Sequence, residues 1–307
     1  MSYRLDLQVD VLRLLGIFPP ANGSNATAMI AFNIYRVMFF AVVGIVTLSM
    51  TVQIFAAPDL SVLARTVDMW TMSFTGLYKW ACMTWCSDRY AEFQSALLTI
   101  GDQGTKAYCQ SSRLFVAKRM KSTRCVTVVY LITGIALSAF LIVSPLITYS
   151  KGDRSDFAYF NDPKSYPLSC WMPFTINNYT LFYSMFTLKS AVLFIAVNLY
   201  LSIDTFVFGA IYAIGGQIEL LNASLNNVFN DLTIDDSGSI TRFGSEKNKM
   251  WHSRLCECIK FHTMILDYIS KLEAMFRSLL LADYLHAIAS VTFAMFQTTV
   301  SNSRTEV

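Results

Sequence analysis

Three stretches of the chain, Val37 to Pro58, Cys125 to Ser150 and Tyr284 to Ser303, contain no Asp, Glu, Lys or Arg. Two more are similarly apolar but interrupted. One lies between Arg65 and Asp88 with Lys79 inside it, and the other runs from Thr180 to about Ala213 with Lys189 and Asp204 inside it. A helix rises about 1.5 Å per residue, so about 20 mostly apolar residues cross a hydrocarbon core of roughly 30 Å. The pattern therefore predicts an all-α, polytopic membrane protein with five spans, near residues 36–57, 66–87, 125–149, 180–204 and 279–301.

The connections differ in charge. Residues 89–124 carry Arg89, Lys106, Arg113, Lys118, Arg119, Lys121 and Arg124, and residues 214–278 carry Arg242, Lys247, Lys249, Arg254, Lys260, Lys271 and Arg277. In 151–175 the three cations Lys151, Arg154 and Lys164 are balanced by Asp153, Asp156 and Asp162. Excess Lys and Arg mark the cytoplasmic side. The expected topology is an inverted one, with residues 1–35 cytoplasmic and 205–278 forming a cytoplasmic extension. Asp88-Arg89-Tyr90 matches the triplet of G-protein-coupled receptors. There the triplet closes the third span of a chain whose N-terminus is outside. Here it closes the second span of one whose N-terminus is inside, so a chance cluster of helix-end polar residues is the better account.

Helical periodicity continues beyond the spans. Leu255, Ile259, His262, Leu266 and Ile269 form one stripe. It implies a helix from about Arg254 into the fifth span, roughly 45 residues and about 70 Å long. The fourth span likewise continues through 206–221. These two helices are joined by the polar segment 231–244, expected to be mobile. Either an intramolecular bundle or a subunit interface would bury the stripe. Lys79, Lys189 and Asp204 are costly inside a bilayer unless they snorkel, pair or face water. Snorkelling and structural pairing are the plainer readings for all three, and Lys189, about two turns below the outer surface, is the most interesting.

Composition agrees. Of 307 residues, 54% are hydrophobic and 15% charged, with a mean hydropathy of +0.43, too apolar for a soluble domain. A net charge of +3 gives no nucleic-acid footprint. Seven cysteines, an odd number without framework spacing, argue against a full disulfide set. The first twenty residues carry Asp6, Asp10 and Arg13 and do not read as a cleaved signal peptide. Four glycosylation sequons occur, at Asn22, Asn25, Asn178 and Asn222, of which the topology places only Asn178 outside. His252, Cys256, Cys258 and His262 suggest zinc by composition, but on a helix the first pair lies roughly 200° from the second, so one ion cannot collect both. No metal or cofactor is expected. The chain has no GxSxG, phosphate-binding loop, HExxH or dinucleotide turn, and only three histidines, so no enzyme is expected.

Pro167-Leu168-Ser169-Cys170-Trp171-Met172-Pro173-Phe174, just before the fourth span, resembles the LPxxxWxPF signature of insect odorant receptors. Leu255, Ile259, His262, Ile265-Leu266, Leu272-Glu273 and Phe276 resemble that family's L…I..H..IL…LE..F pattern, and Lys79 followed by WCSDRYAEFQSAL and Asp204 in the fourth helix are also similar. The motifs are loose, but they keep their order and spacing over residues 1 to about 297, and the cytoplasmic N-terminus agrees with the family's inverted topology.

The resemblance implies an odorant-tuned, seven-helix subunit of a cation channel in the plasma membrane of the olfactory neuron dendrite. Such a subunit assembles with a shared co-receptor into a tetramer, anchored through long cytoplasmic helix ends. Trp171, Pro173, His262, Leu266, Glu273 and Phe276 are then expected in structural or subunit-interface roles. A small volatile ligand is expected among the outer halves of the helices, near Trp70, Ser73, Phe74, Ser138, Leu141, Tyr183 and Phe186. That choice rests on depth and aromatic content, and ordinary packing is the commoner role for such residues. The family's sixth and seventh helices have no counterpart before Val307, so an incomplete gene model, a splice form or a decayed copy is expected, unable to conduct alone. A gustatory receptor of the same fold, or a non-conducting interaction fragment, are the rival readings. The charge pattern has a direct test. Epitope tags at the N-terminus and near residue 115 should be unreachable by antibody on intact cells; surface labelling of either would overturn the orientation.

Overall fold

The computed structural model describes residues 6–19, 26–86, 89, 92, 93, 95, 96, 99, 110–151, 158–230 and 245–305. Among them the protein is all-helical. Its elements are α1 (Asp6–Leu14), α2 (Ala26–Phe55), α3 (Leu60–Trp85), α4 (Gln110–Lys151), the short α5 (Ala158–Asn161), a 3-10 turn (Pro163–Ser165), α6 (Tyr179–Asn230) and α7 (Ser245–Thr305). Four helical stretches are long and apolar enough to cross a membrane: Ala26–Phe55, Lys121–Ile147, Tyr179–Val228 and Lys249–Phe296. Helix α3 covers the interval read as the second span, but Arg65, Asp68 and Lys79, with Thr66, Thr71, Ser73 and Thr75, keep its hydropathy below theirs. At 52 and 61 residues, α6 and α7 are each far longer than a bilayer core requires. The segment 231–244 lies outside the described residues.

Local chemistry sets the helix ends. Helix α1 closes in a Schellman motif: the amide of Ile17 donates to Leu12 O (2.9 Å) and that of Gly16 to Arg13 O (3.1 Å). Gly16 has φ +75°, which a residue without Cβ adopts freely, and Leu12 and Ile17, the hydrophobic pair of this motif, are both fully buried. Before α3, Asp59 O accepts from the amide of Leu63 (2.9 Å). Asn178 caps α6: its Oδ1 accepts from the amide of Thr180 (3.0 Å) and its carbonyl from that of Phe182 (3.0 Å).

The chain packs as two compact units, each with its own core. The first comprises Met1–Gln8, Cys86–Thr127 and Thr205–Arg277. Its core holds an aromatic group among aliphatic side chains such as Val207, Ile214, Leu220 and Ile265. Phe93 stacks on Tyr268 at 4.4 Å between centroids and meets Phe276 edge-on, and Phe206 approaches Phe276 from another side. Within this unit the buried positions of α7 are Cys258, Phe261, Ile265, Tyr268 and Phe276. Of the two readings of the expected stripe, burial in an intramolecular bundle does not hold for Ile259 (57% exposed), Leu266 (52%) and His262, and Glu273 is exposed as well. Both sets keep a 3-4 spacing, and the large rings of Phe261, Tyr268 and Phe276 decide which one is buried within the chain.

The second unit comprises Val9–Trp85, Val128–Asp204 and Ser278–Val307. One core cluster holds Met50, Leu168, Cys170, Val192, Leu193 and Val197; another holds Phe160, Tyr166, Ile176, Phe182 and Phe186. Ile142 of α4 packs against both. Helices α4 and α6 approach closely at Gly134, where a Cβ would lie 2.7 Å from Leu201 Cδ1. Several hydroxyls inside the helices donate to carbonyls one turn back, as in Thr47 to Val43 O, Thr66 to Val62 O and Ser138 to Gly134 O, which satisfies these donors in an apolar setting.

The offset of the buried stripe has a measurable consequence. In detergent-solubilised protein, Phe276→Ala should cost about 3–5 kcal/mol of stability, as for other fully buried aromatics. Ile259→Ser should change it by less than about 0.5 kcal/mol. Thermal unfolding of the two variants compares them directly; equal losses would place both positions in one core.

Candidate functional site

The strongest polar feature of the second unit is a buried cation shared by three helices. Lys79 of α3 is 0% exposed. Its Nζ lies 2.5 Å from Asp204 Oδ1 of α6 and also pairs with Asp283 of α7. The ring of Tyr200 covers it at 3.7 Å to the centroid, and the Tyr200 hydroxyl donates to Asp283 Oδ1 (2.8 Å). Ser290 Oγ donates to Asp68 Oδ1 (2.9 Å), linking α7 to α3 a second time. Structural pairing therefore accounts for Lys79 and Asp204. Asp68 escaped the reading of the spans, and Asp283 counted only as the edge of one. The available signal was depth, because Lys79, Asp204 and Asp283 all lie toward the same end of their spans.

The other end of this unit is closed by the connection before α6. Ser165 to Cys170 are all buried, with Tyr166, Leu168 and Cys170 in the apolar clusters, whereas Trp171, Pro173 and Phe174 are exposed. Its attachments run largely through backbone atoms. Ser49 Oγ of α2 donates to Trp171 O (2.5 Å) and Arg65 Nη2 of α3 to Tyr166 O (3.2 Å) and Pro167 O (3.4 Å). Tyr166 donates to Phe160 O (2.7 Å), and burial raises its phenol pKa, so it remains a donor. Burial pushes the Cys170 thiol up to about 11, with Lys189 opposing only in part, so it offers no thiolate nucleophile.

Beneath this strap lie some of the residues expected at a ligand site. Trp70 and Leu141 pack on the first core cluster and Phe186 belongs to the second. Ser73 and Ser138 are buried, and the Ser138 hydroxyl already donates to the α4 backbone. Trp70 donates from Nε1 to Thr51 Oγ1 (2.8 Å) and stacks on Phe74 at 5.3 Å. Phe74 (54% exposed) and Tyr183 (50%) are largely exposed; Phe74 meets the others only through its stack on Trp70, and Tyr183 only through its edge contact with Phe182. A further residue stands out. Lys189, 4% exposed, places Nζ over the Tyr166 ring at 3.9 Å, and no hydrogen-bond acceptor reaches it among the described residues.

The remaining motifs take plain roles. His252 and Cys256 approach each other at 3.6 Å on an exposed face, while Cys258 is buried and His262 exposed; among the described residues no group of His, Cys, Asp or Glu could hold a metal ion. Phe276 is core, and Glu273 pairs with Arg277 on the surface of α7. Asn178 is the α6 cap and Asn222 lies within α6, while Asn22 and Asn25 fall outside the described residues, as do Asp88 and Tyr90.

The Lys79 cluster predicts non-additive stabilities. Asp204→Asn or Asp283→Asn alone leaves the ammonium one carboxylate. The double variant strands a buried charge and should cost about 3–5 kcal/mol, more than the singles together, and adding Lys79→Met should recover most of it. Size-exclusion thermostability of the variants measures this; additive losses without rescue would mean the three groups do not act as a unit.

A family model described as the 7tm odorant receptor matches residues 59–307. No curated protein matches the sequence. Among solved structures, the olfactory receptor OR5 of the insect Machilis hrabei superposes with a TM-score of 0.67 at 10% identity, covering 95% of this chain and 70% of that one. The same receptor in complex with eugenol gives a TM-score of 0.66 at 13% identity, covering 94% and 68%.

Proposed function

This multi-pass membrane protein belongs to the 7tm odorant receptor family, a family of receptors and not of enzymes, and we propose that it is an odorant-tuned subunit that binds a small, mostly apolar volatile within its second unit. The observation that carries the proposal is the pair of apolar and aromatic clusters joined at Ile142 beneath an ordered strap. Trp70, Ser73, Ser138, Leu141 and Phe186 are the candidate lining; Phe74 and Tyr183, facing outward, are weaker candidates. Such a site gains affinity from burial and shape at roughly 25 cal/mol per Å² of apolar surface. The structural neighbour's complex with eugenol, a small aromatic volatile, supports this ligand class.

Gating follows from assembly in this reading. The chain joins a shared co-receptor in a hetero-oligomer, a tetramer on the family pattern, in the plasma membrane of olfactory dendrites, with its N-terminus cytoplasmic. Support for an interface on α7 comes from Ile259, Leu266 and Met250, apolar side chains exposed in the single chain and interspersed with His262. An odour-driven change in the second unit then biases a cation pore formed by the oligomer.

Co-expression of the chain with an odorant co-receptor, with currents recorded over a panel of volatiles, tests the reading. Odour-evoked cation currents are expected, Phe186→Ala should alter the rank order of effective volatiles, and Phe74→Ala should not. Absence of currents together with absence of any volatile binding would remove the receptor assignment.

A further inference from the structure

Lys189 is the one buried cation of the second unit that the fold leaves without an acceptor among the described residues. Lys79, by contrast, has two carboxylates. In the strap the Cys170 thiol interacts with Lys189 electrostatically without a hydrogen bond, and the other polar side chains there already have partners. Tyr166 donates to Phe160 O, Ser165 to Tyr159 O, Ser169 to Pro163 O and Arg65 to the Tyr166 and Pro167 carbonyls, while Ser190, next to Lys189 on α6, donates to Phe186 O. The ring of Tyr166 attracts the ammonium through its face but accepts no conventional hydrogen bond. A buried amine left in this state is costly, and an incoming acceptor would relieve the cost.

Position adds to the argument. Lys189 shares a helical face with Phe182, Phe186, Val192 and Leu193, so its side chain issues from α6 between residues of the two apolar clusters. Methionines border both clusters: Met50, Met69 and Met72 at one, Met172 and Met185 at the other. Their unbranched thioether chains shift between rotamers at low cost, which lets the clusters adjust around a guest.

Resting on the ligand-site reading above, we propose that Lys189 is the polar contact of that site and selects small apolar molecules carrying a carbonyl or carboxylate oxygen. The hydrocarbon portion lies among the side chains of the clusters and the oxygen accepts from Nζ over the Tyr166 ring. An amine donates a hydrogen bond whether or not it is protonated, so the selection for an acceptor holds in both states.

The test uses volatile pairs of equal shape: 2-heptanone against 2-methyl-1-heptene, and acetophenone against 2-phenylpropene, where a methylene group replaces the carbonyl oxygen. Headspace depletion over lipid nanodiscs, with and without the full chain, gives the bound fraction of each. Wild type should favour the ketones about tenfold or more, as expected for one hydrogen bond to a charged donor. Lys189→Met, close in shape and apolar, should bring each pair to near-equal affinity while alkene binding persists, and Lys189→Arg should keep the preference. Alkene and ketone binding equally to wild type, or a preference unchanged in Lys189→Met, would overturn the Lys189 assignment and leave the ligand site standing. No protein-dependent depletion for any volatile would overturn the site itself and the assignment with it.

Discussion

A charge placed in a medium that cannot solvate it dictates much of the second unit. Lys79 lies on a helix that otherwise has to pack against apolar neighbours, and it is wholly enclosed. Its two carboxylate partners come from two other helices, far apart in sequence, and Tyr200 closes the remaining side. Apolar contacts tolerate a helix sliding or rotating by a fraction of a turn, but a buried ion pair does not. Breaking it leaves an uncompensated charge, which is far worse than a small packing defect. Helices α3, α6 and α7 are thereby held in one register at this level, and the Asp68–Ser290 bond ties α3 to α7 a second time.

The fold was readable from the sequence wherever one physical demand dominated. Long uncharged runs gave α2, α4 and the last part of α7, because length and apolarity alone decide whether a helix can span. The continuation of α6 and α7 past the spans was readable from unbroken helical spacing. Reading failed where two demands shared one helix. On α7 two apolar stripes have the same period, and choosing between them needs Phe93 and Phe206, whose proximity only the folded chain reveals. Helix α3 was placed despite its charges, but why it carries them was invisible, since the partners of Lys79 lie on other helices. Among the candidate site residues, depth and aromatic content picked out Trp70, Leu141 and Phe186, which pack in or against the apolar clusters, but gave no facing direction for Phe74 and Tyr183. Lys189 was conspicuous as a charge; that it would be left without an acceptor could not be seen before Tyr166 and Cys170 were placed around it.

The two lysines divide the labour of polarity within one unit. Lys79 is surrounded by groups that answer its charge fully, which makes for rigidity. Lys189 rests on a ring and near a thiol, which orient it without satisfying its hydrogens. One cation therefore fixes helices in place, while the other keeps hydrogen-bonding capacity unspent among the described residues.

The strap before α6 is fastened through main-chain oxygens of Tyr166, Pro167 and Trp171. Every amino acid supplies that oxygen. The grip on α2 and α3 therefore depends on where the backbone runs and not on which side chains it carries, so those anchoring points survive exchange of the strap's exposed residues, such as Trp171 and Phe174.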